Sequence, residues 1–208
     1  VEELKENIKE KIVGFVTGAT KFGIFAEFNK CLTGLIPKAE LDESTLELFD
    51  SRNIKNSINI LQQIKNIKKP KVLDAEENTT NELLNYFSHV VFSYQGLKSF
   101  TGIDNVERAL KTFTQKTKFQ TLVTNGEHGC YYIQDKMIKN IPAIKIKAVD
   151  TLAAGDVWHA SFLFKLVKKY SLVNSIEFAN YIASLKCKKF GGSSGSPFIY
   201  EINENFDL

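Results

Sequence analysis

The chain has 208 residues, 43% of them hydrophobic and 12% aromatic, enough apolar material for one good-sized domain or two small ones. Its 27 basic and 24 acidic residues are interspersed and leave a net charge of +3, which excludes a strong electrostatic footprint for nucleic acid. No stretch approaches the roughly 20 apolar residues of a membrane span.

Residues 1–10 do not read as a charged-then-apolar leader, so export is not expected. Cys31, Cys130 and Cys187 are far apart and outside any Cys-x-x-Cys pattern, so reduced thiols and a cytoplasmic protein are expected. In chain order, residues 1–10 are charged and weakly amphipathic, a short lead-in helix. Residues 11–28 alternate, with Gly14, Gly18 and Gly23 as punctuation, and predict two strands of a meander. A third strand follows at residues 32–37.

From Thr45 the pattern becomes α/β. Residues 46–49 predict a strand ending in Asp50, and residues 57–67 a helix with Ile58, Leu61, Ile64 and Ile67 on one face. Pro70 stops that helix. Strands are then expected at residues 71–74, 90–93, 121–124 and 130–133, with helices at 81–87 and 105–113 between them. A last strand is expected at residues 143–149, before helices at 156–170 and 173–188 and a frayed tail from residue 203. Such alternation predicts a mostly parallel sheet with helices on both faces. The turns at Asp74–Ala75–Glu76, Asn125–Gly126–Glu127–His128–Gly129 and Asp150–Asp156 would converge beyond the carboxyl ends of the strands.

The turn Asp150–Thr151–Leu152–Ala153–Ala154–Gly155–Asp156 is the chemical centre. It opens onto a helix N-terminus, where the first amides have no intrahelical partner and the dipole adds positive character, so it can cradle an anion. Asp156 either caps that helix or, at the mouth, accepts a proton from a hydroxyl. These seven residues resemble the Asp-Thr-x-Gly-Ala-Gly-Asp signature of the ribokinase/PfkB family of sugar kinases, with Ala153 where the family normally has its first glycine.

Val123–Thr124–Asn125–Gly126–Glu127–His128–Gly129 resembles the family's Val-Thr-x-Gly-x-x-Gly turn, and Asn180 falls on the helix that borders the adenine site. Residues 48–53, 72–76 and 186–192 are similar to segments of its ketohexokinase-like and sulfofructose-kinase-like branch. The resemblance covers about residues 45–200. It implies a ribokinase-like three-layer α/β sandwich, incomplete at its N-terminal side, and ATP- and Mg2+-dependent phosphoryl transfer to a sugar hydroxyl. Asp156 would be the catalytic base and Ala153, Ala154 and Gly155 the anion hole. Thr124, Asn125, Gly126, Gly129 and Asn180 would bind the nucleotide. The family's Asn-x-x-Glu element, associated with magnesium, would fall at Ser93–Tyr94–Gln95–Gly96, where both defining residues are absent. No direct metal ligand is therefore assigned. Asp74 and Glu76 are either outer-sphere acids or solvated loop carboxylates, and His128 and His159 are packing or hydrogen-bonding residues rather than catalysts.

Residues 12–41 resemble the RNA-binding OB-fold repeat of ribosomal S-one type, over about three of its five strands. Phe15, Phe22 and Phe25, with Lys21 and Lys38, are the matching positions; the same rings could instead be the core of a small sheet. The expected organisation is a small β-rich segment over residues 1–44 and a ribokinase-like domain over 45–208. Two alternatives to a kinase stay open: a kinase-derived binding module without catalysis, and single-stranded RNA binding through the N-terminal segment. The implied partners are a nucleotide and a sugar; no membrane partner is expected, and assembly of several copies is left open.

Overall fold

The computed structural model describes residues 70–202 except Asn78 and Lys116, and, as backbone, four strands before them. The helices expected at residues 1–10 and 57–67 and the tail from residue 203 lie outside the described residues. Chain contacts divide into two units, Val1–Thr45 with Lys55–Ile67 and Leu46–Ile54 with Lys68–Leu208.

In the first unit β1 (Gly14–Thr20), β2 (Gly23–Phe28) and β3 (Leu32–Pro37) form an antiparallel meander in the order β1-β2-β3. Its register shifts between Val16 and Gly18, a bulge of the kind that twists an edge. The side chains of Phe15, Phe22, Phe25, Lys21 and Lys38 lie outside the described residues.

The second unit is built on a six-stranded sheet, order β4-β5-β6-β7-β8-β9. Its strands are β4 (Glu47–Asp50), β5 (Lys71–Ala75), β6 (His89–Ser93), β7 (Gln120–Thr124), β8 (Cys130–Gln134) and β9 (Met137–Ile141). The first four are parallel, and β8 and β9 continue the sheet antiparallel. The helices are α1 (Asn81–Leu84), α2 (Tyr94–Thr101), α3 (Val106–Thr114), α4 (Ala154–Val167) and α5 (Leu172–Cys187).

Strand alternation sorts the core into two layers. Val72, Val91, Leu122 and Tyr132 turn toward Trp158, Phe162 and Ile176 of α4 and α5. On the other face the Phe92 ring meets Phe100 of α2 and Phe113 of α3, centroids 5.6 and 5.1 Å away. The result is the three-layer α/β sandwich expected, its sheet parallel over β4–β7 and antiparallel at β8 and β9. The carboxyl ends of β5, β6 and β7 share one edge. Because Thr124 pairs with Cys130 and Cys130 with Ile141, the 125–129 turn and the exit of β9 lie at that edge too.

Three expectations need correction, and two elements, β9 and α2, were not expected. Residues 143–149 are not a strand. Pro142 cannot donate to a ladder, and the amides of Val149 and Asp150 bind the Cys187 carbonyl at the end of α5, at 2.8 and 3.2 Å. The outer strand is β9, joined to β8 by a two-residue turn in which Asp135 and Lys136 both take positive φ, 53° and 63°. Such a turn matches strand twist but favours Asn-Gly or Asp-Gly, so Asp-Lys hides the hairpin. Helix α2 was not expected, although Ser93 caps it, accepting from the Gly96 amide at 2.9 Å, and Gly102 closes it at φ 70°. Helix α1 keeps only four of the residues expected for it, and α4 begins at Ala154 instead of Asp156.

Candidate active site

Helix α4 starts from a strained residue. Ala153 is its N-cap, at φ 62°, ψ 14°, the left-handed conformation that a β-carbon disfavours by roughly 1–2 kcal/mol. Asp156 therefore does not cap the helix. It stands in the first turn, exposed, where a carboxylate complements the dipole and remains open to a ligand. Gly155 is exposed beside it, with open space where a side chain would be. The amides of Gly155 and Asp156 have no carbonyl four residues back to meet within the helix. The Ala154 amide does have a partner, the Thr151 carbonyl at 3.1 Å, so it is withdrawn from the set of donors expected for an anion hole.

Relief of the Ala153 strain is measurable. Ala153→Gly should raise stability by under about 1 kcal/mol, since glycine's extra freedom in the unfolded chain offsets part of the gain. Thermal unfolding checks this; a fall in midpoint would show that the methyl group contributes packing that outweighs its strain.

The turn is held at its head by Asp150. Its Oδ1 accepts the Leu152 amide at 2.9 Å, and its Oδ2 accepts the amides of Gly191 and Gly192 at 3.0 and 2.9 Å. The amides of Gly192 and Leu152, then Gly191 and the Lys186 ammonium, pull the carboxyl down to about 2. The stability this contributes is complete above the ordinary carboxylate range, about pH 4, and is lost as pH falls through about 2.

Asp74 and Glu76 are half-buried, not solvated loop carboxylates. Asp74 Oδ1 lies 3.4 Å from Nε2 of His159, whose Nδ1 meets the Gly155 carbonyl at 2.8 Å. The ring packs between the first turn of α4 and the carboxyl end of β5; among the described residues its one hydrogen bond is to the Gly155 carbonyl of its own helix, and the buried Nε2 has no hydrogen-bond partner. Glu76 Oε2 accepts the Ser93 hydroxyl at 3.1 Å. A side chain at Gly96 would overlap that same Glu76 oxygen, so the carboxylate of Glu76 fills the space a residue at 96 would need. That proximity of Glu76 to position 96 is not visible in the sequence, because the two residues lie on different elements.

The 125–129 turn is closed on itself. The Asn125 amide donates to the Gly129 carbonyl at 2.8 Å, and the His128 amide to the Asn125 carbonyl at 2.9 Å. Gly129 has φ 84°, and a β-carbon there would overlap the Ile141 carbonyl oxygen and sit 2.6 Å from the Ala143 amide. Protein packing is by itself enough to require glycine there. Thr124 turns its hydroxyl to the Phe92 carbonyl at 3.4 Å.

Asn180 is 5% exposed, so it is not a solvated helix residue. Its Oδ1 accepts the Trp158 indole N–H at 2.7 Å, and its Nδ2 donates to the carbonyls of Ile141 and Pro142 at 3.0 and 3.2 Å. A hydrogen-bonded chain thus joins α4, α5 and the exit of β9. Beside it lies a cavity of about 320 Å3, lined by Ile141, Pro142, Ile144, Glu177 and Asn180. Of the residues expected to bind nucleotide only Asn180 lines it. Thr124, Asn125, Gly126 and Gly129 do not; of the Ile141–Ile144 wall, Ile144 was expected in a strand and Ile141 and Pro142 were assigned no role.

Among the described residues no three His, Cys, Asp or Glu side chains gather closely enough to hold a metal ion directly, and no helix is long and apolar enough to cross a membrane. Comparison with protein families matches residues 31–199 to the pfkB family carbohydrate kinases. The chain belongs to that family. The match begins ahead of Thr45 and takes in residues 31–44, where the sequence offered no resemblance to it. The ribokinase of Lactococcus lactis is 35% identical over 94 residues, 45% of this chain and 31% of that protein. Fructokinase-1 of Zea mays is 33% identical over 114 residues, 51% of this chain and 35% of that protein. The structure of Arabidopsis thaliana ribokinase complexed with ribose and ATP superposes with a TM-score of 0.64 at 25% identity, covering 72% of this chain and 52% of that one. The fold is thus ribokinase-like, and this pfkB chain spans about a third of the length of the curated relatives it matches.

Proposed function

We propose that the chain carries the nucleotide-binding and catalytic part of an ATP-dependent sugar kinase. The observation that carries this reading is the exposed Asp156 carboxylate in the first turn of α4, relieved of capping by Ala153 and flanked by the Gly155 and Asp156 amides. In the transfer, a sugar hydroxyl oxygen forms a bond to the γ-phosphorus, the bond from phosphorus to the ADP oxygen breaks, and the hydroxyl proton passes to Asp156. The two amides stabilise charge as it grows on the transferring oxygens. The cavity at Asn180 and Ile141–Ile144 offers an apolar wall for the nucleobase, at the lower end of the usual size for a ligand site. The 124–129 turn borders that side through its packing on Ile141.

Magnesium fits as an ion held through water, since Asp74 and Glu76 bring two carboxylates to the β5 end of the site and no third ligand gathers there among the described residues. When bound, it neutralises phosphate charge. Glu76→Gln keeps the Ser93 hydrogen bond and removes the charge. It should raise the magnesium concentration for half-maximal ATP binding about tenfold, as loss of outer-shell partners does. An unchanged magnesium dependence in a calorimetric titration would remove Glu76 from the site.

Kinship with ribokinase and fructokinase makes ribose and fructose the first acceptors to test. A place in the ketohexokinase-like branch rests on the Asp74–Ala75–Glu76 end of β5 and on residues 186–192. The free, buried thiols of Cys130 and Cys187 suit a cytoplasmic setting. The deciding experiment is an ATP-magnesium titration followed by turnover on both sugars. Binding with turnover supports the reading; binding without turnover on a panel of sugars would make the chain a nucleotide-binding module.

A further inference from the structure

The last turn of α5 carries a lysine shut off from water. Lys186 is 0% exposed. Its Nζ donates to the Asp150 backbone carbonyl at 2.8 Å and lies 3.5 Å from Asp150 Oδ2. A buried ammonium is costly unless paired and hydrogen-bonded. Here both partners belong to one residue, at the head of the anion-binding turn. The neighbouring Cys187 carbonyl takes the Val149 and Asp150 amides, and the Asp150 carboxylate takes the Gly191 and Gly192 amides. Three segments therefore meet around one fixed positive charge. Lys165 is also buried, but its ammonium lies over the Tyr170 ring, 3.9 Å from the centroid, and serves packing at the far end of α4.

We infer that Lys186 is a positioning residue for the anion-binding turn. Its ammonium holds the Asp150 backbone, and through it the strained Ala153, so that the Gly155 and Asp156 amides stay aimed at a phosphate oxygen. The ligand in this statement rests on the kinase reading; the mechanical hold does not. A turn that starts from a left-handed alanine stores strain and persists only where its surroundings over-determine it. Without the cation, the Asp150 carbonyl loses its donor, and the turn has a cheaper conformation to relax into.

The test is Lys186→Met, similar in length and uncharged, read by amide hydrogen exchange, thermal unfolding and ATP titration. Peptides covering residues 150–156 and 190–193 should exchange about tenfold faster, while those from β6 and β7 keep wild-type protection. ATP binding should weaken by up to about 10²-fold, the scale of a small misplacement. In Lys186→Ala, added methylammonium should slow exchange at 150–156 again, which a purely space-filling lysine would not allow. If the methionine variant does not fold, Lys186→Gln, which keeps a donor without charge, is read in the same way. Unchanged exchange at 150–156 in a folded variant overturns the positioning role. Wild-type protein that binds no ATP would overturn the kinase reading alone, because the exchange result still decides the hold.

Discussion

Asp156→Asn is expected to remove sugar-dependent phosphoryl transfer while leaving ATP affinity within a few-fold of wild type. The carboxylate's proposed work is on the acceptor hydroxyl, and a general base contributes about 10²–10⁴-fold to rate. Asparagine keeps the shape and a hydrogen-bonding oxygen but cannot take the proton. Stability is a clean control. Ala153, not Asp156, is the helix N-cap, so the asparagine variant loses only a charge–dipole contribution in the first turn, and the thermal cost should stay within about 1 kcal/mol. Steady-state kinetics with ribose or fructose, beside a nucleotide titration, separates the two effects. Retained turnover in the asparagine variant would mean that another group takes the proton, and a large fall in ATP affinity would place Asp156 against the phosphates instead.

The parts of this fold legible in the sequence are those where local pattern and tertiary environment agree. The continuous apolar runs of β5, β6 and β7 are buried, and the helical spacing of Trp158, Phe162 and Leu166 faces the core. What failed was set by partners far along the chain. Alternation at 143–149 suggested a strand, yet a strand needs a neighbour, and among the described residues the run pairs with no strand and ends on the Cys187 carbonyl. The true outer strand, β9, is largely exposed and carries Lys139 and Asn140, as an edge strand can, so its apolar signal is weak. In the site, the turn at 150–156 was legible because seven consecutive residues carry it. Glu76 filling the space at Gly96 was not, since the two are on different elements. Lys186 was invisible for a related reason: a lysine reads as surface, and only the fold brings Asp150 close enough to compensate it.

The largest expected loss of stability comes from Asn180→Leu. Leucine fits the volume and the helix, so propensity predicts no penalty. The hydrogen-bond geometry predicts otherwise. The Trp158 indole N–H, buried with its ring, would lose its acceptor, and the Ile141 and Pro142 carbonyls would lose their donors. Each buried group left unsatisfied costs about 1–3 kcal/mol. Water can reach the two carbonyls through the adjoining cavity, so the net loss should be about 2–4 kcal/mol, or roughly 5–15 °C in unfolding midpoint for a chain of this size. Asn180→Asp distinguishes the two halves of the clamp. It keeps an acceptor for Trp158 but turns a second oxygen toward two carbonyls, and it should cost at least as much as leucine. ATP affinity should fall in both variants, because Asn180, Ile141 and Pro142 together wall the proposed base site. A shift within about 0.5 kcal/mol, normal for an exposed helix position, would show that Asn180 is not the clamp joining α4, α5 and β9.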